Sequence, residues 1–196
     1  MNTALFSQPL VLGSGSPRRA ELLRSLGYSF RQLRADIDES YPQHLRGAEI
    51  PLYLAKAKAE ALAEKISKDE ILVTGDTVVW FENKALEKPA NSKEARLMLN
   101  TLSGNRHWVY SSYSLSGGGQ QKTGYGATEV YFRPLPQSWI DYYVSHYQPT
   151  DKAGAYGIQE WLGMVGIEKI SGSYFNVMGL PVDQVFQDLQ EWSRNA

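Results

Sequence analysis

The run from Leu10 to Arg19, L-V-L-G-S-G-S-P-R-R, sets two serines and two arginines between a short apolar strand and the start of a helix. Ser16 suits the N-cap and Pro17 the first helical position, where a missing N–H has no intrahelical partner to lose. A capping box would put Glu or Gln at the third position, yet Arg18 and Arg19 stand at the second and third. Two cations at the positive end of a helix dipole cost about 0.3–1 kcal/mol each, and a bound anion would reverse that sign. Free backbone N–H groups, the hydroxyls of Ser14 and Ser16 and two guanidinium forks therefore describe a phosphate cradle. The alternative is a surface turn whose arginines pair with acids elsewhere.

A second chemical feature is Asp76. It lies inside Glu70–Phe81, E-I-L-V-T-G-D-T-V-V-W-F, where apolar residues flank T-G-D-T on both sides. That pattern reads as a strand buried on both faces and interrupted by a polar insert. A buried aspartate must be hydrogen-bonded or in use, and acids at strand ends facing a crevice are where α/β sheets place ligand chemistry. Thr77 beside it either orients a ligand or caps a bulge. Glu39, with Asp36 and Asp38, belongs to an acidic loop (Arg34–Tyr41) that is either solvated or offers a carboxylate to a metal ion. Lys88 precedes a proline and is held extended, which makes it a pointed cation.

These groups need elements to carry them. Ala20–Leu26 continues the first helix on a Leu22, Leu23, Leu26 stripe, with Gly27 as its stop. Tyr28–Leu33 reads as a strand, and Ile50–Ser67 as a long helix burying Leu54, Ala55, Leu62 and Ile66. Lys58 stands on a different face of that helix, where a lysine is ordinarily solvent-exposed. A helix capped by Ser92 follows, carrying Ala95, Leu97, Met98 and Leu102. Two long antiparallel strands, Arg106–Gly117 and Gln121–Phe132, are joined by a hairpin at Gly117–Gly119. Trp139–His146 is a short aromatic helix. Thr150–Gln159 is polar, glycine-rich and of the kind that lines sites. Trp161–Ile170 reads as a strand, Gly172–Pro181 as a turn, and Val182–Trp192 as a closing helix.

With 196 residues the chain is expected to form one domain, residues 1–196. Its net charge of −1 argues against a nucleic-acid or anionic-membrane surface, so any phosphate binding must be local. Cysteine is absent, which excludes thiolate catalysis and thiolate zinc sites. No apolar run approaches the roughly 20 residues of a membrane span. With no signal-like N-terminus either, the expected compartment is the cytoplasm.

S-G-S-P-R-R, D-I-D-E-S (Asp36–Ser40), K-A-K-A (Lys56–Ala59), G-D-T-V-V (Gly75–Val79), L-E-K-P (Leu86–Pro89), L-S-G (Leu102–Gly104), V-Y-F-R (Val130–Arg133), D-K-A-G-A-Y-G-I-Q (Asp151–Gln159) and G-S-Y-F-N-V-M-G-L-P (Gly172–Pro181) occur in that order. In these blocks, which run nearly end to end, the chain resembles the Maf family of nucleoside triphosphate pyrophosphatases. The resemblance implies an α/β fold similar to that of the inosine triphosphate pyrophosphatases, a mixed central sheet flanked by helices, in two lobes with a cleft between them. It implies cleavage between the α- and β-phosphates to give a monophosphate and pyrophosphate, with a divalent cation (Mg2+ or Mn2+). Asp76 matches the proton acceptor. Independently of the resemblance, a triphosphate and its leaving pyrophosphate need neutralising charge, for which Arg18, Arg19, Lys58 and Lys88 can supply four cations while Glu39 and Asp76 can hold the metal. Ser14, Ser16, Thr77, Lys152 and Gln159 complete the expected substrate-binding set. Arg18, Thr77 and Gln159 side with the dTTP/UTP-directed branch; a sister branch acting on 7-methylated GTP tends to carry Trp, Gln and Glu there. Two departures stand out. T-G-D-T replaces the common G-A-D-T, and Glu160 replaces the glycine of I-Q-G, setting a negative charge beside a base-contacting position. The expected partner is a nucleoside triphosphate, with a homodimer left open. The rival reading is a nucleotide-binding regulator of septum formation with no significant catalysis.

Overall fold

The fold, described for residues 8–194 in a computed structural model, is organised by one long strand. Its strands are β1 (Leu10–Gly13), β2 (Phe30–Leu33), β3 (Ile71–Phe81), β4 (Lys84–Leu86), β5 (Arg106–Gly117), β6 (Gln120–Phe132) and β7 (Ile167–Ser171). Its helices are α1 (Pro17–Ser25), α2 (Glu49–Leu62), α3 (Ser92–Leu102), α4 (Gln137–Tyr147), α5 (Trp161–Gly166), α6 (Tyr174–Met178) and α7 (Val182–Arg194). The sheet runs β2-β1-β3-β5-β6-β7, with β4 added to β3. β1 pairs parallel with both β2 and β3, and every other pairing is antiparallel, so the sheet is mixed, as expected.

Strand alternation sends β3 side chains to two faces. Leu72 packs with Ala59 and Leu62 of α2, and Val78 with Ile50 and Leu54 of the same helix. Ile71, Val73 and Val79 face the larger core, which collects Leu22 and Leu23 of α1, Leu99 of α3, Ile140 and Tyr143 of α4, and Val185 and Leu189 of α7. One edge of β3 pairs along its length with β5. The other edge is shared, with Leu10–Leu12 of β1 on Ile71–Val73 and β4 on Val79–Phe81. Between these partners Thr74–Val78 has no strand beside it among the described residues. That interruption opens the cleft, and Asp76 and Thr77 sit in it.

The hairpin forms where expected. Gly118 and Gly119 adopt φ of 56° and 79°, the two positive values that a two-residue turn of the I′ kind requires. Other expectations need correction. The long helix stops at Leu62 and continues only as a single 3-10 turn, Ala63–Lys65. The cap of α3 is Asn91, whose side chain accepts from the N–H groups of Lys93 and Glu94, both at 3.0 Å; Ser92 is the first helical residue. Trp161–Ile170 is not one strand. Leu162, Gly163 and Gly166 turn a helical stripe inward as α5 before the chain straightens into β7, because this apolar run satisfies either period. Within Gly172–Pro181 a short helix, α6, starts on a Ser173 cap. Among the described residues no helix is long and apolar enough to cross a membrane.

Candidate active site

A cleft of about 500 Å³ opens at the gap in the β3 edge. It is lined by the β1–α1 turn, the acidic loop before α2, Lys58, Asp76, Thr77, Lys88, the Asp151–Gln159 loop and the end of α6. All the residues expected to bind substrate or metal are therefore brought to one cavity. Its lining is chemically mixed: serines, cations and acids share it with Val79, Val109, Ala153, Tyr156, Val177 and Met178.

Ser16 caps α1, accepting the Arg19 N–H at 3.4 Å. Arg19 is 8% exposed and spends its fork on uncharged partners. Nε donates to the Gly179 carbonyl at 2.9 Å, Nη1 to Ser14 Oγ at 3.1 Å and Nη2 to Thr77 Oγ1 at 3.0 Å. Burial depresses the affinity of this guanidinium for its proton, and the nearby Asp76 charge offsets part of that. Ser14 Oγ accepts from both Arg19 and the Ser16 N–H. Both its lone pairs are thus occupied and its own hydrogen is left to donate. Thr77 points to the opposite face of β3 from Asp76. It bonds Ser111 Oγ at 2.8 Å, and Ser111 donates to the Asn176 carbonyl at 2.7 Å. Ser111 therefore takes its hydrogen from Thr77, and Thr77 braces Arg19. Arg18 points elsewhere, pairing with Asp151 at 2.9 Å.

Lys58, expected at the surface, is buried. Its Nζ lies 2.6 Å from Asp76 Oδ1 and 2.7 Å from Glu39 Oε1, and Lys88 Nζ lies 3.0 Å from Glu39 Oε2. Helix period puts Lys58 on the same side as Leu54, Ala55 and Leu62, all buried, and the charge survives there because two carboxylates meet it. Burial raises the Glu39 carboxyl, but hydrogen bonds and charge from Lys58 and Lys88 outweigh this and bring it to about 2. Asp76 Oδ2 has no hydrogen-bond partner among the described residues. No set of three or more His, Asp or Glu converges among them either. Glu39 and Asp76 nevertheless converge on one ammonium at 2.7 and 2.6 Å, and magnesium commonly takes one or two carboxylates plus substrate phosphates. The donor set fits such an ion.

Gly75 accounts for the T-G-D-T departure, since a Cβ there would lie 2.5 Å from the Ser112 carbonyl oxygen of the paired strand. Gln159 Oε1 is buried without a partner. Tyr156 beside it bonds His107 Nε2 at 2.7 Å. Lys152, 7% exposed, is held between Asp151 at 2.7 Å and Glu160 at 3.1 Å. Glu160 does not line the cleft. Reading the sequence alone misses Ser111, Asn176, Asp151 and Tyr143. For Ser111 a signal existed: S-S-Y-S inside a long strand puts hydroxyls on both faces, and buried hydroxyls need partners.

Residues 9–192 match the family described as Maf-like protein. The chain is 49% identical over 183 residues to a protein of Bacteroides fragilis named dTTP/UTP pyrophosphatase, covering 93% of this chain and 95% of that one. A protein of the same name in Cytophaga hutchinsonii is 44% identical over 187 residues, 95% of this chain and 85% of its own. Another in Christiangramia forsetii is 41% identical over 187 residues, 95% of each. Among solved structures, the Ham1 protein of Staphylococcus aureus aligns with a TM-score of 0.43 at 14% identity, over 64% of this chain and 72% of that chain.

Proposed function

Because this chain belongs to the Maf-like protein family, we propose that it hydrolyses nucleoside triphosphates, dTTP and UTP first, to the monophosphate and pyrophosphate. The observation that carries this reading is the make-up of one cleft. A buried guanidinium without a carboxylate partner lines it together with apolar side chains and Gln159, whose buried amide oxygen has no partner. A triphosphate brings about four negative charges, which Arg19, Lys58 and Lys88 meet while the Ser14 hydroxyl donates to a phosphate oxygen. The apolar part of the lining receives the base. Gln159 reads its edge, since an amide offers both donor and acceptor to the O2, N3–H and O4 of uracil or thymine.

In the reaction a water oxygen attacks the α-phosphorus, its proton passes to Asp76 Oδ2, and the bond to the bridging oxygen breaks to release pyrophosphate. Lys58 fixes Asp76 through Oδ1 and leaves Oδ2 for the water. Glu39 and Asp76 would hold a divalent cation, which supplies neutralisation of the charge developing on the leaving group. Residues 1–196 act in this reading as one catalytic domain, in the cytoplasm, on free pyrimidine or modified nucleotides rather than nucleic acid. Chromatographic product analysis tests it. Monophosphate plus pyrophosphate is expected, with dTTP and UTP turned over at higher kcat/KM than GTP. Diphosphate plus orthophosphate would sink the reaction assignment, and nucleotide binding without turnover would favour the regulator instead.

A further inference from the structure

Glu160 puts a carboxylate next to the base-facing Gln159, but the charge is turned away from the cleft and consumed in a network. Oε1 pairs with Lys152 Nζ at 3.1 Å, and Oε2 accepts the Tyr143 hydroxyl. Tyr143 is fully buried in α4, and its oxygen in turn accepts the Gly157 N–H at 3.0 Å. One carboxylate therefore ties the start, middle and end of the Lys152–Glu160 loop to a rigid helix. The tie continues outward. Lys152 also bonds Asp151 at 2.7 Å, and Asp151 bonds Arg18 of α1 at 2.9 Å. Gln159 lies inside this frame, its side chain folded over Gly157 so closely that a Cβ there would meet its Nε2 and the Glu160 Cδ, each at 3.0 Å. Its Oε1 is left unpartnered.

We propose that Glu160 is a positioning residue for base selection: by clamping Lys152 and, through Tyr143, Gly157, it fixes the Gln159 amide toward the nucleobase. This deepens the reading of a pyrimidine-directed cleft and rests on it. Two consequences separate it from general support of the fold. Loss of the clamp acts on recognition of the base and therefore on KM, since Asp76, Lys58 and Arg19 make no contact with it. A ligand that carries phosphates but no base is indifferent to it.

The test uses the intact protein, with Glu160→Gln and Tyr143→Phe as independent variants that break the clamp from its two sides. Steady-state kinetics are measured on dTTP, UTP and GTP, and inorganic tripolyphosphate serves as a competitive inhibitor. In each variant KM for dTTP and UTP is expected to rise about three- to tenfold, the range of one lost hydrogen bond. The dTTP-over-GTP ratio of kcat/KM should fall by the same factor, with kcat and the tripolyphosphate inhibition constant within twofold of wild type. A discriminating wild type whose ratio survives both substitutions overturns the inference and leaves the function standing. So does a tripolyphosphate constant that moves with KM, because Lys152 or the whole cleft would then be responding. A wild type that treats all three bases alike overturns the base reading and this inference with it.

Discussion

Asp76 and Lys58 form the buried pair at the centre of the site, and removing either should have opposite signatures. Asp76→Asn keeps the side-chain shape and leaves Lys58 its second carboxylate, Glu39 at 2.7 Å, so the fold loses little. The chemistry loses its proton acceptor, a deficit of about 10²–10⁴ in kcat, equivalent to roughly 2.7–5.4 kcal/mol in the barrier. Lys58→Met instead strands the Asp76 carboxylate. With side-chain exposures of 8% and 11%, the pair lies in the regime where deleting one partner costs about 3–5 kcal/mol. In a chain of this size that lowers Tm by about 6–20 °C. The double variant replaces the pair by two uncharged groups and should regain much of that loss, a non-additivity that a double-mutant cycle reads directly. Thermal melts by circular dichroism and pyrophosphate release are measured on all four proteins. A folded Asp76→Asn protein with wild-type turnover would refute the catalytic role. A Lys58→Met protein as stable as wild type would refute the buried pair.

Ser111→Ala removes the hydroxyl that takes the Thr77 hydrogen and satisfies the Asn176 carbonyl. Stability should fall by about 1–3 kcal/mol in urea unfolding, and KM for nucleotide should rise as Arg19 loses its brace; an unchanged KM would detach Arg19 from this chain of bonds. Burial holds His107 at about 3 against an ordinary 6.5. The unfolded chain therefore takes up a proton below about 6.5 that the folded chain refuses until about 3, and stability is lost as pH falls through that window. His107→Gln should flatten the loss by one proton, about 1.4 kcal/mol per pH unit, in denaturant titrations at pH 4.5 and 6; an identical slope would reject the assignment. Chelation should abolish turnover and Mg2+ or Mn2+ restore it, with Mn2+ binding by electron paramagnetic resonance weaker in Glu39→Gln. Turnover that persists in excess chelator would remove the metal.

The strand-turn-helix at Leu10–Arg19 was legible because its signals are local: an apolar run, a cap, a proline and two misplaced charges determine that geometry whatever lies around them. Asp76 was legible for a similar reason, as a polar interruption of an apolar run. The resemblance, carried by ordered blocks, supplied the family and the residue set. Lys58 was legible as a site residue but its burial was not, since that depends on the carboxylates of Glu39 and Asp76, 19 residues before it and 18 after, converging on one point, and no helical pattern encodes that. The same holds for the division of labour between Arg18 and Arg19, adjacent in sequence and chemically alike. Only the packing of α1 against β3 and α6 turns one fork onto Thr77, Ser14 and Gly179 and the other onto Asp151. The Glu160 charge, which the sequence sets next to Gln159, is turned away by Tyr143 from a different helix. Composition and period determine which segments become strands and helices, because those preferences are short-ranged. Which charges meet, and which are left free for a ligand, is decided by contacts between residues far apart in the chain, and these exist only once β3 has gathered its neighbours.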